Sequence, residues 1–155
     1  MPIRWMTEED ARALLAAEIE GRLATCDRAG QPYITPVNHV VHEGKIYFHS
    51  KLTGRKLGNL GENNRVCFQV SRVTKMTMSA DRPCACATRY ECALAFGVAR
   101  VVEDAAEKSA LLNLLVAKHA AGKPFQPVGE EQARTCAVVE ISIDKISGKR
   151  NVDPE

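Results

Sequence analysis

The stretch that decides the fold is IYFHSKLTGRKLGNL, residues 46–60. It reads as a strand ending on His49 and Ser50, a loop, and a short helix that begins near Arg55 and Lys56. A helix N-terminus carries partial positive charge and normally prefers Asp or Glu in its first turn. Two adjacent cations there are favourable when an anion lies among them, held by free backbone N–H groups and the two side chains. We expect phosphate; the alternative is a solvated basic pair.

The segments on either side of this stretch predict a mainly β fold with an N-terminal helix and one long helix in the C-terminal half. Because successive strands are joined by short turns, the sheet is expected to be antiparallel and closed or half-closed. Gly97 is expected to mark a bulge or bend in its strand. The predicted helices span residues 7–21, 54–63 and 104–122, and the predicted strands span 22–27, 31–43, 45–50, 65–72, 88–103 and 136–143, with 73–87 ambiguous and a basic tail at 145–150.

Length and composition are those of one globular domain covering residues 1–155, with 45% hydrophobic and 26% charged residues. A net charge of +2 gives no electrostatic case for binding nucleic acid or an anionic membrane. The N-terminal sequence lacks the apolar region of a signal peptide, and no apolar run approaches the length of a membrane crossing. Six cysteines without an export signal predict free thiols in a reducing cytoplasm.

Thr35-Pro36-Val37-Asn38 places a proline inside an otherwise clear strand pattern. Proline cannot donate a hydrogen bond to a neighbouring strand, so it belongs at a sheet edge or a bulge. Backbone groups around it are then free to pair with something else, such as a planar heterocycle with alternating donors and acceptors. The alternative is a plain edge strand.

The cysteines and histidines do not predict a metal site. Cys84, Cys86 and Cys92 contain a CxC pair and one isolated cysteine, whereas zinc sites use paired CxxC-type spacing and four ligands. We interpret His119 as a core or interface residue on the long helix. His49 differs because it ends a strand directly before the expected anion site; the alternative is a histidine bonded to backbone.

Taken together, several blocks resemble the pyridoxamine 5'-phosphate oxidase-like FMN-binding split barrels, and most closely the Nim-type proteins associated with 5-nitroimidazole resistance. The blocks occur in the family's order over nearly the whole chain. They are GRLATCDRAGQPYITPVNHVVHEGKIYFHS, GRKLGNL, NNRVCFQV, TRYECALAFGVARVVE and ISGKR. The resemblance implies a small antiparallel barrel that forms a homodimer, with one FMN in each of two clefts at the subunit interface.

The resemblance also implies roles for individual residues. The segment from Thr35 through Pro36 and Val37 to Asn38 would line the flavin ring, and His49 and Ser50 would lie beside the ring and ribityl chain. Arg55 and Lys56 would hold the FMN phosphate. The remaining residues implied to face the cofactor are Tyr90, Glu91, Cys92 and Lys149, with Arg150 nearby.

The residues and the resemblance together are compatible with three functions. The leading hypothesis is an FMN-dependent oxidoreductase in which His49 is the catalytic side chain and a small organic molecule, such as a nitroaromatic, is the substrate. The alternatives are a flavin-binding carrier or sensor without turnover, and a haem-binding split barrel. Vitamin B6 chemistry is not implied, because the C-terminal Trp and Arg pattern with which true pyridoxamine 5'-phosphate oxidases bind their substrate is absent.

Overall fold

The computed structural model describes residues 4–82 and 86–151. The strands are β1 (Arg4–Trp5), β2 (Glu20–Cys26), β3 (Pro32–His42), β4 (Lys45–Ser50), β5 (Arg65–Thr77), β6 (Ala87–Val102) and β7 (Ala137–Asn151). The helices are α1 (Glu8–Ala17), α2 (Arg55–Glu62), α3 (Ala105–Ala120) and α4 (Glu130–Ala133). None of the helices in these two ranges has the length and apolar character needed to cross a membrane.

The strands form a closed antiparallel barrel. Their order is β7-β4-β3-β2-β5-β6, and β6 pairs again with β7, while β1 adds to β7 outside the ring. The prediction of a mainly β antiparallel fold with an N-terminal helix and a long later helix is therefore confirmed. The register of β6 against β7 shifts between Phe96 and Gly97, as expected for a bend. A Cβ at Gly97 would lie 2.0 Å from the carbonyl oxygen of Ser142, so only glycine fits there.

Three boundaries differ by more than two residues from the sequence-based prediction, and β1 and α4 were not predicted. The first helix ends at Ala17, and Gly21 belongs to β2, where a Cβ would lie 2.2 Å from the Phe68 ring; the glycine permits close packing and does not end the helix. The ambiguous segment begins as strand, because β5 runs to Thr77. The basic tail is the second half of β7, which pairs with β6 to Asn151.

Two apolar cores hold the elements in place. The first fills the barrel and includes Leu15 from α1, Phe48 from β4 and Phe68 from β5, all at most 1% exposed. The second lies between the outer face of β4 and β7 and the helix α3, and includes Tyr47, Leu112 and Val138. The long helix is thus fixed against the strand pair that carries His49.

Glu140 is a buried carboxylate beside the second core. It accepts hydrogen bonds from Arg100 at 2.8 Å and from Tyr47 at 3.1 Å, and Lys45 lies at 3.1 Å. The Arg100 hydrogen bond is the main reason that the pKa of Glu140 falls to about 2. Arg100 also reaches Glu107 of α3 at 3.2 Å, so this network joins the helix to β6 and β7.

The buried histidine His39 is expected to make the free energy of unfolding depend on pH. Its ring is fully buried, with Nε2 2.8 Å from the carbonyl oxygen of Leu15, and burial lowers its pKa from 6.5 to about 4. Between these values the unfolded chain binds a proton that the native state excludes. Stability is therefore full above about pH 6.5 and falls by up to about 3 kcal/mol as pH drops to about 4.

Denaturant unfolding near neutral pH and near pH 4.5 measures this effect. The wild type should lose stability across that interval, whereas His39→Gln, which does not titrate, should lose much less. An equal loss in both proteins would assign the pH dependence to other groups.

Candidate functional site

The barrel splits between β3 and β4. The two strands pair from His42 and Lys45 as far as His39 and Phe48. Beyond that point, among the residues described, the β3 segment 32–38 pairs only with β2, and His49 and Ser50 pair only with β7. Pro36 lies in this one-sided segment opposite Arg22, which confirms the expectation that it belongs at an edge. The free edge of β3 therefore faces a gap.

That gap is a cleft of about 300 Å³. Asn38 and His49 are the first positions past the split on either strand, so their side chains flank it. The structure thus brings together residues that the sequence separates widely. The lining residues are Glu20, Pro36, Val37, Asn38, His49 and Lys56.

The N-terminus of α2 borders this cleft. Gly54 precedes the helix with φ 136°, a conformation that favours glycine. Neither a capping side chain nor an acidic residue occupies the first turn. The first backbone N–H groups of a helix have no partners within the helix, so those of Arg55 and Lys56 are available to a ligand.

Two cationic side chains extend from this turn. The guanidinium carbon of Arg55 lies 4.9 Å from the centroid of the Tyr33 ring, and Nζ of Lys56 lies 6.0 Å from that of Phe48. Burial lowers the pKa of Lys56. No carboxylate in the described ranges lies within ion-pair distance of either cation. Unpaired cations beside free N–H groups fit a phosphate group.

The helix is held rigidly against the barrel. Asn59 donates from Nδ2 to Thr25 Oγ1 at 3.0 Å, and Leu60 is buried. At the far end, Glu62 accepts a hydrogen bond from the Arg28 backbone at 2.9 Å. The backbone N–H groups at the start of α2 are therefore held in a fixed position.

A second and larger cavity, of about 480 Å³, lies on the outer face of β5, β6 and β7. Three of the predicted cofactor residues, Tyr90, Cys92 and Lys149, line it and do not line the cleft. A single chain therefore holds the predicted residues in two separate groups. The full lining is Arg22, Gln69, Ser71, Arg72, Val73, Thr88, Tyr90, Cys92 and Lys149.

Four predicted residues line neither cavity: Thr35, Ser50, Arg55 and Glu91. Glu91 lies on the opposite face of β6 from Tyr90 and Cys92 because side chains alternate along a strand, and it forms an ion pair with Arg72 at 2.6 Å. Ser50 is buried and donates to the Lys51 carbonyl at 3.1 Å. Thr35 directly precedes Pro36, the first residue of β3 that lines the cleft.

Tyr33 and Glu20 were missed by the sequence analysis. Tyr33 supports the Arg55 side chain, and Glu20 lines the cleft. Tyr33 and Thr35 are two residues apart and therefore lie on the same face of β3. That spacing could have identified Tyr33 from the sequence, because Thr35 was already a predicted site residue. Glu20 was missed because the first helix was extended to Gly21.

Within residues 4–82 and 86–151, no three His, Cys, Asp or Glu side chains are placed to bind a metal ion. Cys86 is exposed, and Cys92 is buried and accepts a hydrogen bond from Gln69 at 3.4 Å. Cys84 lies outside the described residues.

Solved structures from several bacteria share this fold. A protein from Bacteroides thetaiotaomicron, named as a candidate 5-nitroimidazole antibiotic resistance protein, is 22% identical, with a TM-score of 0.81 over 97% of this chain and 89% of that one. A FAD-binding protein from Mesorhizobium loti is 20% identical, with a TM-score of 0.74 over 98% and 100% of the two chains. A FAD and heme binding protein from Mycobacterium smegmatis is 18% identical, with a TM-score of 0.83 over 100% and 76%.

No curated protein matches the sequence significantly. The family described as Pyridoxamine 5'-phosphate oxidase matches residues 7–150, which include every element from α1 almost to the end of β7. This match covers the split between β3 and β4, the helix α2 and both cavities. The chain belongs to the pyridoxamine 5'-phosphate oxidase family.

Proposed function

We propose that this protein binds FMN and uses it to reduce a small organic substrate. The observation that carries the proposal is the N-terminus of α2, where Arg55 and Lys56 have no acidic partner among the described residues and Lys56 lines the cleft at the split. Family membership supports it, as do structural neighbours named as FAD-binding proteins. Nitroaromatic compounds are candidate substrates because another neighbour is named for 5-nitroimidazole resistance.

The residues present fit the parts of FMN. Arg55, Lys56 and the first N–H groups of α2 would hold the phosphate. The free backbone edge from Pro36 to Asn38 would hydrogen-bond the planar ring system. Bound there, the flavin supplies the electron-transfer chemistry, and the protein supplies position and charge.

His49 is the acid–base residue of the proposed reaction. It is exposed and lines the cleft together with Asn38 and Lys56. An imidazole nitrogen can hold a proton near neutral pH and pass it to a substrate oxygen or nitrogen during reduction. The nearby Lys56 charge favours anionic species in the cleft.

The two separate groups of predicted residues support a homodimer. In a dimer, Tyr90, Cys92 and Lys149 of one protomer would complete the cleft of the other. The outer face of the barrel has an apolar row that a second copy would cover. Backbone register places Ile34, Ala24, Cys67 and Phe96 side by side across four strands.

This arrangement predicts the effect of a charge on the apolar row. Phe96→Asp should shift the protein from dimer to monomer in sedimentation equilibrium and lower its FMN affinity, because a buried, unpaired carboxylate opposes association. Phe125→Asp is the matched control, since Phe96 and Phe125 are both 40% exposed. A wild type that binds FMN as a monomer would refute the dimer.

The phosphate assignment predicts selectivity among flavins. Riboflavin has the same ring as FMN and lacks the phosphate, so it should bind at least about 100-fold more weakly, because each charge-assisted hydrogen bond contributes about 1.5–3 kcal/mol. Fluorescence titration of flavin-free protein with riboflavin, FMN and FAD measures this, and FMN should bind most tightly. Equal affinities for riboflavin and FMN would contradict the site.

A further inference from the structure

An aromatic residue, Trp5, lies beside the second cavity, and neither the family resemblance nor the cleft gives it a role. Register pairs Trp5 of β1 with Lys149 of β7, and Lys149 in turn with Cys92 of β6. Residues paired directly across antiparallel strands share one face of the sheet. Trp5 therefore lies on the face that carries the cavity, beside Lys149, and it is 75% exposed. An indole this exposed buries little apolar area within the chain and is free to stack on a ligand.

The charges around the cavity are of one sign. Arg22, Arg72 and Lys149 line it, and none of its lining residues is acidic. Arg22 has Glu20 at 3.3 Å, and Arg72 has Glu91 at 2.6 Å. Lys149, by contrast, has no carboxylate within ion-pair distance in the described part of the chain. The cavity therefore offers one uncompensated cation.

Hydroxyl groups complete the lining. Ser71 pairs with Cys92 in the same row, and Tyr90 lies two residues away on the same face of β6. Both can donate to a carboxylate or nitro oxygen. At about 480 Å³ the cavity is of the size that small-molecule sites have.

We propose that the second cavity, which in the proposed dimer adjoins the cleft of the other protomer, is the acceptor subsite of the protein and takes planar, anionic aromatic compounds. Trp5 stacks on the aromatic ring, Lys149 pairs with the negative charge, and the hydroxyl groups of Ser71 and Tyr90 orient the molecule. Its role in a reaction rests on the proposed flavin function, whereas its binding of the anion does not.

The single tryptophan makes this binding directly observable. In protein labelled with ¹⁵N-tryptophan, the one indole N–H signal reports on Trp5. We expect 4-nitrobenzoate to shift this signal and to bind at least about tenfold more tightly than the uncharged 4-nitrobenzamide. Lys149→Gln should remove that preference, whereas Lys123→Gln, at an exposed position in the loop after α3, should retain it.

Calorimetric titration of Trp5→Leu provides the second test, since an exposed side chain can be replaced without unfolding the protein. Both ligands should bind this variant more weakly while the preference for the anion persists. Equal binding of the two compounds to the wild type, or a preference unaffected by Lys149→Gln, would overturn the proposal. The FMN content of each sample, measured by absorbance, separates this failure from failure of the flavin proposal.

Discussion

Replacing Arg55 and Lys56 together by alanine is expected to weaken FMN binding by at least about 100-fold. The substitution removes both cations from the N-terminus of α2 and leaves its backbone N–H groups in place. Neither side chain has an acidic partner in the described residues, so the folded protein loses no ion pair with them. The effect should therefore fall on ligand affinity and spare stability.

Fluorescence titration and thermal unfolding of the same samples separate the two effects. Lys123→Ala with Arg134→Ala is a control of equal charge change at exposed positions away from the cleft. Riboflavin affinity should be nearly the same in the double variant and the wild type, because the ring contacts remain. Unchanged FMN affinity in the double variant would show that the phosphate binds elsewhere.

His49→Ala is expected to slow substrate reduction by about 10²–10⁴-fold while FMN is retained. His49 lines the cleft with an exposed side chain, and that side chain makes no hydrogen bond to the described residues. Its replacement by alanine therefore leaves the core and the backbone pairing with β7 intact. The rate is measured by reducing the flavin-loaded protein with dithionite and following its reoxidation by a nitroaromatic in a stopped-flow instrument.

His42→Ala is the matched control, an exposed histidine at the other end of the β3–β4 pairing. It should reoxidise at the wild-type rate. Loss of FMN from His49→Ala would make His49 a binding residue, and a full rate with full FMN would leave it without a catalytic role.

Local chemistry made much of the fold predictable. Thr7 begins α1 and accepts from the Asp10 N–H at 3.1 Å, and Asp104 likewise begins α3, as their sequence patterns indicated. Pro36 marked the one-sided part of β3 because a missing N–H is a local property. Arg55 and Lys56 pointed to an anion site at the start of α2 because the helix dipole disfavours cations in the first turn, which is also a local property.

Properties that depend on distant partners were not predictable in this way. Gly21 looked like a helix end until Phe68 was placed against it. The basic residues at 145–150 carry no strong strand pattern, and they become strand because β6 offers them pairing partners. Glu91 was grouped with its neighbours Tyr90 and Cys92, although alternation along β6 and the position of Arg72 turn it to the other face.

The separation of the predicted site into two cavities is a further consequence of the closed barrel. Sequence order gives no distance between the β3–β4 split and the outer face of β6 and β7. The structure shows that one chain holds Lys56 and His49 in one cavity and Tyr90 and Lys149 in another. This placement is an argument for the proposed homodimer, in which the two cavities of different protomers would meet.

Identification of the chromophore in the purified protein tests the central claim most directly. The absorbance spectrum is recorded first, the protein is then denatured, and the released ligand is identified by mass spectrometry and counted per chain. The proposed site predicts paired visible flavin bands, the mass of FMN and close to one FMN for each chain. A haem Soret band without flavin, or a colourless protein that takes up no FMN when it is supplied, would contradict it.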